Sequence, residues 1–197
     1  MNDFGWCKTE AKFFAWLNSQ MRNSFWKKHP VRLEMLKTGR KQMRNPKTGR
    51  LAFFHQCEKC EKWWPQDDIE INHKETVGTL SKDTLGDVFK RMALVDKSAL
   101  EKLCRTCHAI VTYSERSGMT LEEASIEKQV IRFFNTYPAA EQKRRMKLGG
   151  MEPAATVAAR RIQLREYLRE RKRNSANISA QQNSGPSPDP ADASEKA

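Results

Sequence analysis

The sequence predicts an α+β chain, mostly helical, built around a small metal-clamped core. Three observations carry this expectation. Two Cys-x-x-Cys pairs occur, Cys57-Glu-Lys-Cys60 and Cys104-Arg-Thr-Cys107. Short strand-like stretches lie beside the first pair and between the two, and apolar residues recur at helical spacing on either side. Hydrophobic residues make up only 38% of 197 residues and the mean hydropathy is -0.80, so the apolar core is modest and a metal clamp matters to stability.

Taken in order, Thr9 caps a first helix with Glu10 in its first turn and Phe13, Trp16, Leu17 and Met21 on one face; Phe14 and Trp26 add to the seam. After His29-Pro30 a short helix spans 31–37 and stops at Gly39. The run from Arg40 to Arg50 holds five basic residues among turn formers and reads as an exposed loop placed to touch phosphate. Leu51–Phe54 reads as a strand feeding the first cysteine pair. Ile69-Glu70-Ile71 alternates as a strand does and delivers Asn72-His73 at its end. Residues 84–94 read as a helix, and 97–103 as a second helix or helical turn. A helix opening at Cys107 places His108 in its first turn, so a ββα-like unit is expected.

Beyond Gly118, Thr120-Leu-Glu-Glu123 is a capping box leading into Ile126, Val130, Ile131, Phe133 and Phe134. Pro138 starts another helix ending at Gly149-Gly150. A last, basic helix covers about 153–173 with a narrow apolar stripe (Val157, Leu164, Leu168). Four segments follow: 1–50, helical with a basic loop; 51–117, the metal-bound core; 118–173, a basic helical extension; and 174–197, a tail rich in Ser, Pro, Ala, Asn and Gln that is expected to be disordered.

Net charge is +12; the tail from Asn174 holds three acidic residues and one lysine, so residues 1–173 carry +14. Such a surplus favours a polyanion, with nucleic acid the first candidate. No apolar run of about 18 residues exists, so no membrane span is expected. The N-terminus lacks the basic-then-apolar order of a signal peptide. A reducing cytoplasm is the expected compartment, where paired cysteines hold metal rather than form disulfides. Cys57, Cys60, Cys104 and Cys107 suit one tetrahedral zinc ion, whose closed shell makes it structural. Cys7 reads as a small buried side chain, and His29 and His55 as structural histidines.

The segments Cys57-Glu-Lys-Cys60, Ile69-Glu-Ile-Asn-His73-Lys-Glu-Thr-Val-Gly78 and Leu103-Cys-Arg-Thr-Cys-His108-Ala-Ile-Val-Thr112 resemble the HNH endonucleases, of the two-knuckle type common in bacteriophages. The resemblance covers about 53–116. It implies a ββα-metal (His-Me finger) core and a metal-dependent nuclease acting on double-stranded DNA, with the bacterial host cytoplasm as its place of action. It implies His73 as the general base, and His108 with Asn72 as the holders of a catalytic Mg²⁺ or Mn²⁺. Homing, recombination, host-DNA degradation and packaging all fit these residues.

Three positions depart from the family pattern. Asn72 stands where that pattern has an aspartate; Glu70, Glu75 and Glu115 are candidates to supply the missing carboxylate. Ala99 falls where an asparagine orients the base, and Val111 replaces a lysine. The alternative reading is therefore a catalytically inactive zinc-knuckle DNA-binding protein.

Overall fold

Thr9 opens the first helix: its Oγ1 accepts from the Lys12 backbone N–H at 3.3 Å, and α1 runs Glu10–Gln20. The computed structural model describes residues 4–183. A π turn (Met21–Phe25) and a 3-10 turn (Trp26–Lys28) prolong α1 and carry Met21 and Trp26 into apolar surroundings. Pro30 then starts α2 (Pro30–Met35), where its missing N–H costs nothing. The chain leaves α2 through Gly39, whose φ of +65° suits a residue without Cβ.

The basic run expected to be a loop is a hairpin. β1 (Lys41–Arg44) pairs antiparallel with β2 (Leu51–Gln56), Lys41 opposite Phe54 and Arg44 opposite Leu51. Asn45 closes the turn, with its Oδ1 accepting from Lys47 N at 2.9 Å and its carbonyl from Gly49 N at 2.8 Å. All four residues of β1 are exposed, so no apolar alternation marks it. β3 (Trp63–Pro65) completes this three-stranded sheet.

β4 (Ile69–His73) and β5 (Leu100–Cys104) form a separate antiparallel ribbon, with Asn72 opposite Glu101 and His73 opposite Leu100. The segment 97–103 is therefore not the helix expected. Only Lys97–Ala99 makes a 3-10 turn, and Leu100 and Leu103, three apart, are buried on a strand whose pairing with β4 overrides their helical spacing. Between the strands, Thr84 Oγ1 donates to the Thr79 carbonyl at 2.6 Å ahead of α3 (Leu85–Ala93). Ile69, Ile71, Val95, Leu100 and Leu103 form a core with Cys57 and Cys104, and Trp26, Val31, Met35 and Leu36 pack on it. The N-terminal helices thus share one unit with the cysteine pairs, and that unit ends at Gly118 after α4 (Arg105–Ser117).

The second unit begins at Met119. Thr120 Oγ1 accepts from Glu123 N at 3.2 Å at the start of α5 (Leu121–Thr136), as the capping box requires. α6 (Ala139–Leu148) follows Pro138, and α7 spans Val157–Asn183. The last helix therefore starts later and runs further than 153–173, through the first ten residues of the expected disordered tail; 184–197 lie outside the described residues. Its basic face is partly used inside the unit. Arg165 meets Glu127 at 2.8 Å, Arg169 meets Glu123 at 2.7 Å, and buried Arg160 donates to the Ala154 and Ala155 carbonyls.

Ile126, Val130, Phe134 and Leu164 make this unit's core. Ile126→Ala is expected to destabilise it by about 2–5 kcal/mol, since a fully buried side chain is removed. Urea unfolding followed by circular dichroism reads the loss. Among the described residues, no helix is long and apolar enough to cross a membrane.

Candidate metal centre and its histidines

Each cysteine pair sits where a strand ends in a tight turn. Cys57 follows β2; its N–H donates to the Lys62 carbonyl and its own carbonyl accepts from Glu61 N, with Glu61 at φ +58°. Cys104 closes β5 and caps α4, its Sγ accepting from Cys107 N at 3.4 Å. Glu58 ties the turns together: its N–H donates to the Lys102 carbonyl at 2.9 Å, and its Oε1 accepts from Lys102 N at 2.8 Å.

The result brings the Sγ atoms of Cys57, Cys60, Cys104 and Cys107 within 4.8 Å of one another. Cys60 and Cys104 are 4.0 Å apart, close to the roughly 3.8 Å edge of a tetrahedron with 2.3 Å metal–sulfur bonds. This four-cysteine cluster can hold a metal such as zinc. Burial opposes ionisation of Cys60, yet hydrogen bonds led by the Lys62 backbone outweigh it and bring the thiol down to about 7. Burial, with neighbouring thiolates, pushes Cys104 and Cys107 up. Several thiolates this close coexist only around a positive charge. Cys7 is buried elsewhere and is not one of the four.

The second pair runs directly into His108, in the first turn of α4. Its Nδ1 lies 2.7 Å from Glu70 Oε2, a half-exposed pair reachable by water. Strand alternation sends Glu70 and Asn72 to one face of β4, and Ile69, Ile71 and His73 to the other. Asn72 is turned toward its cross-strand neighbour: its Nδ2 donates to Glu101 Oε1 at 3.0 Å, and Glu101, itself buried, also meets Lys59 at 3.6 Å. Glu101 is a partner that the sequence did not single out, because only the β4–β5 register places it there. Ala99, in the turn before β5, offers the site only its backbone carbonyl, which accepts from Lys74 N at 2.9 Å. Val111 packs against the core.

Comparison with protein-family models, with curated proteins and with solved structures gives no match.

His73 stacks on Trp26 with ring centroids 4.3 Å apart, and its Nε2 is buried without a hydrogen-bond partner. Burial, then the nearby His29 and Arg22, lower its pKa from 6.5 to about 4. The ring is therefore neutral at physiological pH. On acidification the unfolded chain takes up this proton first. The stability that the neutral ring contributes is complete above about 6.5 and is lost as pH falls from there through about 4. An NMR titration of His73 is expected to show a midpoint near 4, and Trp26→Ala, which uncovers the ring, to move it up toward 6.5. A wild-type midpoint at 6.5 or above would contradict this environment.

Arg22 also lines a cleft of about 830 Å³ with α1, Gly78–Ser81 and Arg116. Neither Trp26 nor Arg22 was legible as a neighbour of His73, since both come from the helical segment outside the cysteine motif. His29 and His55 are structural: His29 Nε2 sits 3.1 Å from the Ala93 carbonyl, and His55 Nε2 3.4 Å from Gln66 Oε1, each inside packed surroundings.

Proposed function

We propose that this protein is a zinc-stabilised, metal-dependent DNA endonuclease of the HNH type, acting in the cytoplasm of a bacterial host. The observation that carries the reading is the order β4–β5–α4 closed by four convergent thiols. Asn72-His73 lies at the end of one strand, and His108 in the first turn of the following helix, 2.7 Å from a carboxylate. A closed four-sulfur shell fits structural zinc, leaving chemistry to the histidines.

In this mechanism His73 takes a proton from water, whose oxygen attacks the phosphodiester phosphorus as the bond to the 3′ oxygen breaks. The products carry 5′-phosphate and 3′-hydroxyl ends. The neutral ring of His73 suits a proton acceptor, since an imidazole with a lowered pKa keeps a nitrogen lone pair available at physiological pH. An arriving phosphate anion would favour the imidazolium and raise the pKa of His73 toward the working range. His108 and its carboxylate neighbour would hold Mg²⁺ or Mn²⁺. The cation, when bound, neutralises charge developing on the phosphate and steadies the leaving oxygen. Arg22, within electrostatic range of His73, would be a further phosphate contact.

Double-stranded DNA is the proposed substrate. Arg40, Lys41, Arg44, Lys47 and Arg50 are all exposed on or beside the β1–β2 hairpin, an arrangement suited to tracking a phosphate backbone. End analysis of a labelled duplex incubated with zinc-loaded protein and Mg²⁺ tests the proposal. Ligatable nicks with 5′-phosphate ends support it.

Asn72 favours one second reading. With its amide engaged by Glu101 and no carboxylate at that position, the protein would bind DNA without cutting it. Salt-sensitive binding to an intact duplex under every divalent metal supports that alternative.

A further inference from the structure

We propose that Glu70, two residues before Asn72, supplies the anionic ligand of the catalytic cation and shares it with His108. The inference rests on the nuclease reading and names which side chain makes it chemically workable. A hard divalent ion selects carboxylate oxygen, and the neutral amide of Asn72 is a poor substitute. That amide is also committed, its Nδ2 held 3.0 Å from Glu101 Oε1.

Four glutamates are near enough in sequence to consider. Glu101 is buried and already shared by Asn72 and Lys59. Glu75 is exposed beyond the end of β4, and Glu115 is exposed about two turns along α4 from His108. Glu70 alone touches the histidine, at 2.7 Å, while remaining open to solvent. It leaves β4 on the same face as Asn72, roughly 7 Å along the strand. A carboxylate missing at position 72 is thus replaced by one on the same strand face.

Nδ1 of His108 and Oε2 of Glu70 face one another, so a cation entering between them would meet one nitrogen and one carboxylate donor. Arg32 lies within electrostatic range of the same carboxylate, and its Nη1 is fastened to the Lys27 carbonyl at 2.9 Å. This competing charge makes the site weak for a divalent ion by itself, and a DNA phosphate oxygen completes it, as is usual for Mg²⁺ sites built on one carboxylate.

The test is Mn²⁺ binding to full-length, zinc-loaded protein, read by electron paramagnetic resonance with and without uncleaved DNA, and plasmid nicking in parallel. Glu70→Gln is expected to weaken Mn²⁺ binding by at least the 10- to 100-fold that loss of a supporting partner costs. Asn72→Ala is expected to change it by less than about tenfold. The variant Glu70→Asp, which restores a carboxylate at the same position, is expected to recover part of the binding. That rescue separates a ligand from a merely structural residue, and an unchanged zinc content checks the fold.

Wild-type binding and nicking that survive in Glu70→Gln but fail in Asn72→Ala would overturn the role of Glu70 and leave the nuclease intact. Absence of both Mn²⁺ binding and nicking in the wild type would overturn the nuclease reading and Glu70 with it.

Discussion

Cys104→Ser is expected to unfold the first unit, residues 4–118, while the helices of 119–183 keep their structure. Cys104 ends β5, caps α4 and sits 4.0 Å from Cys60, so a single sulfur joins the ribbon, the helix and the first cysteine turn. Structural zinc contributes on the order of 10 kcal/mol through such a site, and a whole domain is stable by only about 5–15 kcal/mol. Zinc analysis is expected to give one equivalent in the wild type and none in the variant. Circular dichroism should show loss of part of the helical signal. Cys7→Ser, altering a buried cysteine outside the cluster, should retain zinc. A cooperative, wild-type unfolding curve for Cys104→Ser without zinc would remove the metal from the account of stability.

His73→Ala carries the second large effect. Losing a general base costs about 10²- to 10⁴-fold in rate. Affinity for uncleaved DNA should hardly change, because the proposed phosphate contacts lie on the exposed basic residues of the β1–β2 hairpin and not on His73. The loss is therefore expected in kcat rather than in KM. Zinc content again separates chemistry from folding, since truncation also empties the space against Trp26. A variant that cleaves as fast as the wild type would send the search for the base elsewhere.

The four-cysteine cluster was the most legible feature. Cysteine turns are local, and two of them require only that β2 and β5 end near each other. Helices with a cap and an apolar face were equally readable, as Thr9 and Thr120 show. What escaped was pairing between distant segments. β1 has no buried residue to announce it, and Leu100 and Leu103 are spaced as on a helix although β4 makes them a strand. The surroundings of the site residues escaped for the same reason. Glu101 reaches Asn72, and Trp26 reaches His73, only through long-range register and packing. Among three glutamates that sequence left equivalent, one measured contact, Glu70 to His108, distinguishes them.

Nicking of supercoiled plasmid by zinc-loaded wild-type protein, with Mg²⁺ or Mn²⁺ and with His73→Ala alongside, tests the central claim most directly. The account predicts open circles with the wild type, none after chelation of the divalent ion, and at least about a hundredfold slower conversion by the variant. Plasmid left supercoiled under every divalent metal, by protein that still binds it, would contradict the nuclease and establish the DNA-binding module in its place.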